Sequence, residues 1–466
     1  VLDPDRLFPL DARSRGLARA LFERVEALPI VSPHGHCDAA WFASDAPFPD
    51  PARLFVVPDH YVFRMLHSQG VPLESLGVPR TDGAPVERDG RTIWRTFAAH
   101  FHLLLGTPSR LWLEHALETV FGVDERLDAA SADRVYDRIA DCLARPGFSP
   151  RALFERFGIE ALATTEGALD PLEAHRAIRD SGWAGRVLTT YRPDAVVDPD
   201  TPGFARHVLR LGELTGEDAS RWEGYLAAHR ARRAFFIEHG CTATDHGHPS
   251  FATADLPATD AARLFARALA GTCSAAEAEA FRAQMLTEMA RMSLDDGLVM
   301  QLHCGVRRNH STDVAERFGA DKGFDIPMRT DYVHALRPLL DALGTDPRLT
   351  LILFGLDESA QSRELAPLAG VWPCLRLGPA WWFLDSPEGM RRFRQATLET
   401  AGFYNTVGFN DDTRAFCSIP ARHDVSRRVD SAHLATLVAT GRLAEADAFA
   451  LAPQLAHDLA VRAYRL

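Results

Sequence analysis

The sequence predicts an α/β fold, a (β/α)8 TIM barrel with a large helical insertion after strand 1, and three observations carry the prediction. Eight short apolar, β-branched runs end in polar or Gly-containing segments, as buried parallel strands do. Stretches with apolar residues at three- and four-residue spacing fill most of the gaps between them. The chain has 466 residues, enough for one barrel of roughly 250 residues plus a long insertion.

The first run, Leu28 to Ser32, leads into Pro33-His34-Gly35-His36. The interval after it is far longer than any other and reads as helical. Trp94, Phe97, Phe101 and Leu104 share one face, and Leu111, Leu113, Leu117 and Phe121 form a second stripe. Pro-rich Ala46-Pro47-Phe48-Pro49-Asp50-Pro51 and turn-rich Pro79-Arg80-Thr81-Asp82-Gly83 punctuate this interval. The expected organisation is therefore an N-terminal segment with the first strand (1–40), a helical insertion domain (41–155) and the remainder of the barrel (156–466).

The other seven strands are expected at Ala161 to Thr165, Arg186 to Thr190, Cys241 to Thr244, Leu298 to Leu302, Leu349 to Phe354, Cys374 to Leu377 and Tyr404 to Phe409. Helical patterns cover Ala261 to Ala270, Ala275 to Leu294, Tyr332 to Leu343 and Gly389 to Thr400. Strands alternating with helices point to a barrel. A doubly wound open sheet would show a GxGxxG first turn, and Pro33-His34-Gly35-His36 is not one.

Composition removes several classes of function. The formal net charge of -12 argues against a nucleic-acid scaffold, which needs a basic field. No apolar run is long enough to span a membrane. Val1-Leu2-Asp3-Pro4-Asp5-Arg6 lacks the basic and apolar regions of a signal peptide, so none is expected there. The seven cysteines form no CxxC pair, and a reduced cytoplasmic protein is the simplest expectation. All but one of the 51 basic residues are Arg. The exception, Lys322, sits in a polar turn-like Asp321-Lys322-Gly323, which leaves no Walker A loop and no suitable Schiff-base lysine.

The sharpest chemical feature is His34-Gly35-His36 directly after the first strand. In an extended segment both imidazoles point the same way, so they can share one metal ion. Alone, the pair reads equally well as two satisfied polar histidines. His246 after the fourth strand, His303 after the fifth, and Asp411 and Asp412 after the eighth would join it only if a barrel closes. Singly, each has an ordinary role as a helix cap or core hydrogen-bonder.

Histidines on strands one and five and an aspartate on strand eight resemble the amidohydrolase superfamily of metal-dependent barrels. The bridging lysine that many members carry on strand four is absent, so at most a single metal is expected. Within the superfamily the chain resembles the uronate isomerase family over nearly its whole length. The shared motifs are Asp59-His60-Tyr61-Val62-Phe63-Arg64, Thr164-Thr165-Glu166, Tyr191-Arg192-Pro193-Asp194, Thr244-Asp245-His246-Gly247, Gln301-Leu302-His303, Arg308-Asn309, Gly378-Pro379-Ala380-Trp381-Trp382-Phe383 and Asp412-Thr413-Arg414. Cys304 and Pro379-Ala380 depart from the family pattern and bear on substrate preference.

The resemblance implies aldose–ketose isomerisation of D-glucuronate to D-fructuronate and of D-galacturonate to D-tagaturonate, by C2-to-C1 proton transfer through an enediolate. On that reading His34, His36 and Asp412, with His303 nearby, hold one divalent metal. Zinc is the expected ion, and it is not necessarily essential. Asp412 is the expected base, and Arg414 the cation facing the enediolate. Arg192, then Arg308, would grip the substrate carboxylate. Trp381 or Trp382 would lie against the sugar, and His246 would join the binding wall. His60 and Tyr61 from the insertion would shuttle a proton. A homo-oligomer is expected by analogy. Two other readings stay open: a mononuclear metal-dependent hydrolase or lactonase, and a non-catalytic sugar-acid binder.

Overall fold

The structure is a computed structural model that describes residues 2–466; Val1, the first residue of the expected N-terminal segment, lies outside the described residues. Eight parallel strand positions follow one another around the fold. They are β1 (Ile30–Ser32), β2 (Ile159–Ala163, resumed at Glu166–Gly167), β3 (Val187–Leu188, resumed at Tyr191–Arg192), β4 (Ala243–His246), β5 (Val299–Leu302), β6 (Leu351–Leu353), β7 (Leu375–Leu377) and β8, a single bridge at Thr406. Each pairs with the next in chain order, so every crossover joins neighbouring strands. Past the β8 position, the backbone N–H of His36 donates to Thr413 O at 3.0 Å, which ties the last loop to the first.

The eighth strand differs from expectation. Tyr404 is 58% exposed, and Asn405 turns its side chain back to Ala401 O at 2.9 Å. Thr406 likewise caps Phe403 O through its hydroxyl, and Gly408 has a φ of +76°. Local polar bonds of this kind compete with a ladder, so pairing survives at one residue only. The third strand also departs from a continuous Arg186–Thr190 run, since it breaks after Leu188 and resumes at Tyr191.

Between β1 and β2 the chain is helical. Capping explains where these helices start: Asp59 accepts from the Tyr61 N–H at 2.9 Å, and Thr107 caps a helix that begins at Pro108. Trp94, Phe97, Phe101 and Leu104 are buried together as expected, whereas on the second stripe Leu111 is only half-buried and Trp112 is the buried residue. Their apolar core is continuous with Ile30, Ile159, Leu162 and Val187 of the barrel wall. The same core takes in Val62, Phe63 and Leu66, which follow His60 and Tyr61 on one helix (His60–His67).

The barrel wall is apolar on its outer side, where Met300, Leu351 and Leu375 lie level with one another and pack under the helices, and Tyr464 donates to Gln301 Oε1 at 3.1 Å in the buried interior. No helix is long and apolar enough to cross a membrane among the described residues.

Candidate active site

A cavity of about 410 Å³ opens where the strands end, within the range typical of small-molecule sites. His34 and His36 enter it from β1, with ring centroids 5.2 Å apart and edge to face. Asp412 arrives from the β8 loop in a left-handed conformation, φ +42°, which costs a non-glycine residue free energy and holds the carboxylate inward. Its Oδ1 lies 3.4 Å from His34 Nε2 and 3.2 Å from His36 Nε2.

His303, from the end of β5, stacks on His34 at 4.4 Å and on Phe354 at 4.0 Å, and meets Trp381 edge-on at 4.6 Å. Its Nδ1 lies 2.5 Å from Asp245 Oδ1. Asp245 is completed by Arg192, whose Nη1 stands 3.3 Å away, and Arg192 Nε donates to Asp194 at 2.8 Å. Gly247 makes room for this pair, because a Cβ there would come within 2.3 Å of Arg192 Nη2.

The donor set suits a metal ion. Two overlapping triads, His34–His36–Asp412 and His34–Asp245–His303, each bring their ligand atoms within 4.8 Å of one another. Ligands about 2.1 Å from a tetrahedral zinc stand about 3.4 Å apart, close to the separations found between Asp412 and the two imidazoles. His34 Nδ1 and His303 Nε2 are buried without hydrogen-bond partners, which is costly unless something else engages them.

The electrostatics follow from burial and pairing. Burial raises the Asp412 and Asp245 carboxyls, but neighbouring imidazoles, and Arg192 for Asp245, outweigh it and hold both well below the usual carboxylate range. Burial pushes His303 down to about 4. His60 falls to about 3 through burial and the nearby Arg414 and Arg64, so it is neutral at physiological pH.

The rim supplies cations and aromatic faces. Arg308 lies over the Trp382 ring at 4.7 Å and faces Asp325 at 3.5 Å. Arg414 faces Asp321 at 3.8 Å, not Asp411 or Asp412. Trp382 has a φ of +52°, unusual for a bulky residue, and both indole N–H groups of Trp381 and Trp382 lack partners. The Tyr61 hydroxyl lies 3.3 Å from Asp385 Oδ2.

The fold brings His34, His36, His60, Tyr61, Arg192, His303, Arg308, Trp381, Trp382, Asp412 and Arg414 to one cavity wall. His246 is absent from that wall. It is fully buried, with Nε2 3.0 Å from Thr244 Oγ1, and Asp245 borders the cavity in its place. Side chains alternate along β4, so only one of two adjacent residues can face the site, and the motif contains both candidates. Cys37, Asp59, Thr165, Asp321 and Asp325 also line the cavity without having been singled out. Asp59 and Thr165 lay inside motifs already noted, whereas Asp321 and Asp325 had no local signal.

The glucuronate isomerase family profile matches residues 11–463. A uronate isomerase of Mesorhizobium japonicum is 66% identical over 466 residues, spanning 100% of this chain and 99% of the relative. One from Rhizobium meliloti is 62% identical with the same coverage. A crystal structure of glucuronate isomerase from Caulobacter crescentus superposes with a TM-score of 0.98 at 57% identity, covering 100% of this chain and 97% of that one. Similarity at this level spans essentially the whole chain, and the chain belongs to the glucuronate isomerase family.

Proposed function

We propose that the cavity interconverts aldose and ketose uronic acids, D-glucuronate with D-fructuronate and D-galacturonate with D-tagaturonate. One observation carries the assignment of roles: Asp412 Oδ1 faces both strand-one imidazoles in a cavity that Arg192, Arg308 and Arg414 also line. A carboxylate held ionised is a base, and guanidinium groups suit both an acidic substrate and a developing enediolate.

In this reading Arg192 and Arg308 hold the substrate carboxylate, and the apolar face of the sugar lies against Trp381 or Trp382. Asp412 takes the proton from C2 and returns it to C1. Arg414 stabilises the negative charge that builds on the oxygens between those steps. Neutral His60 and the Tyr61 phenol carry the hydroxyl proton between O2 and O1. His34, His36 and Asp412, with His303 and Asp245 beside them, would hold a divalent ion, zinc by donor type, which supplies Lewis acidity toward a substrate oxygen when bound.

A hydrolase or lactonase reading is not favoured, since full-length similarity is to isomerases. Seven free cysteines support a reducing, cytoplasmic setting. The helical layer at 41–155 reads as an insertion domain, and a homo-oligomer is proposed by analogy with other barrels.

Proton NMR of the protein with each uronate in deuterated water, before and after chelation, tests the proposal. Ketose acid signals support it, and the chelated sample reports what the ion contributes. Two unchanged substrates in the metal-restored sample, together with hydrolysis of a lactone, would overturn it.

A further inference from the structure

Behind the catalytic wall lies a buried polar cluster that the reaction scheme above does not use. Arg422 is 2% exposed and belongs to the long helix Ile419–Ala439. Its Nη1 donates to Asp385 Oδ2 at 2.8 Å and to the backbone oxygen of Asp411 at 3.1 Å. Its guanidinium lies 3.5 Å from the centre of the Trp112 ring and 5.2 Å from that of Tyr61. One side chain thus touches the insertion, the β7 loop and the residue next to Asp412.

Asp385 completes the link. Its Oδ2 is the hydrogen-bond partner of the Tyr61 hydroxyl, and its Oδ1 is buried and unpartnered. Asp385 borders a neighbouring cavity of about 560 Å³, but not the catalytic one. Tyr61 lines both cavities. Asp385 therefore communicates with the reacting atoms through Tyr61.

We propose that Asp385 and Arg422 are positioning residues for Tyr61, fixing the direction of its hydroxyl and registering the insertion against the Asp412 loop. The inference rests on the proposed role of Tyr61 as a proton carrier. A phenol on a helix from the insertion has no covalent reason to stay aligned with a base carried by the β8 loop. A charge-assisted hydrogen bond to Asp385, itself locked by Arg422, supplies that alignment. Burial pushes the Asp385 carboxyl up to about 6 despite the pull of Arg422. A purely structural ion pair would contribute to stability and leave turnover alone.

The test is a double-mutant cycle on kcat and KM with Asp385→Asn, Tyr61→Phe and the pair, each with a thermal melt. The expected result is a kcat lowered between about ten- and a hundredfold by Asp385→Asn, with KM nearly unchanged. In the Tyr61→Phe background the same change should add little, because its target is gone. Wild-type kcat in Asp385→Asn, or a full additional loss on top of Tyr61→Phe, overturns the inference while the role of Tyr61 stands. A fully active Tyr61→Phe removes both. If Asp385→Asn does not fold, Arg422→Lys replaces it in the cycle. Lysine keeps the charge but lacks the planar fork, so the same loss and the same masking are expected. Unmasked or absent loss in that variant overturns the proposal.

Discussion

Replacing Glu166 by Gln should make the protein more stable above neutral pH and leave it no better at pH 5. Glu166 lies on β2 beside the cavity residue Thr165, with its carboxylate 13% exposed and accepting from Thr189 Oγ1 at 2.5 Å. Burial raises its pKa from 4.5 to about 7, although hydrogen bonds from Thr164 and Thr189 oppose the shift. Folded Glu166 therefore keeps its proton at pH values where the unfolded chain has released it. Its contribution is fully present below pH 4.5, is lost as pH rises toward 7, and stays lost above. The difference between 4.5 and 7 corresponds to about 3 kcal/mol.

Gln accepts from Thr189 equally well but adds an amide N–H pair that needs a partner, which costs about 1–2 kcal/mol. The net expectation is a gain of about 1–2 kcal/mol at pH 8 and a loss of about 1 kcal/mol or less at pH 5, where part of the Glu166 contribution is already gone. For a chain of this length unfolding entropy is on the order of 1 kcal/mol per degree, so the melting temperature should rise by about 1–2 °C at pH 8 and fall by about 1 °C or less at pH 5. Scanning calorimetry or fluorescence melts of both proteins from pH 5 to 8 resolve that crossover. Parallel curves, with the same difference at every pH, would refute the burial argument. Turnover should change little, because Glu166 does not border the cavity.

Other outcomes follow from the site geometry. Asp412→Asn should lower kcat by about 10² to 10⁴ while the variant still binds uronate, measured by NMR turnover and titration; near wild-type turnover would remove Asp412 as the base. Arg192→Met should weaken binding of the uronate by about tenfold or more relative to the neutral parent sugar, and equal losses would remove it as the carboxylate clamp. The same variant should melt lower, since Asp194 and Asp245 lose a shared cation. Gly247→Ala places a methyl 2.3 Å from Arg192 Nη2 and 2.8 Å from Asp194 Oδ2, so KM should rise with kcat nearly retained. An unchanged KM would show that Arg192 relaxes without leaving its substrate.

Much of the fold was legible because strand and helix periodicity is local. β5, β6 and β7 lie within the expected runs, and the helix at Tyr332–Leu343 has the expected bounds. β8 was not legible in this way. Val407 and Phe409 are buried like strand residues, yet polar side chains around them bond locally and leave one bridge. Arg414 follows Asp411 and Asp412 closely in the chain, but the structure pairs Asp411 with His423 at 3.1 Å and turns Arg414 toward Asp321. Sequence proximity says little about which charges meet once a loop reverses direction.

By itself, the sequence determined the alternation of strands and helices, the long helical interval, and the two imidazoles of His34-Gly35-His36. All of these depend on residues within a few positions of one another, whose relative directions the backbone geometry sets. Only the tertiary structure decided that Asp245 and not His246 faces the cavity, that His303 stacks on His34, and that Arg422 joins Trp112, Asp385 and Asp411. Those contacts depend on how a closed barrel turns each strand about its axis and on which distant loops its rim brings together. That rotation is set by packing of the whole wall, to which every strand and helix contributes.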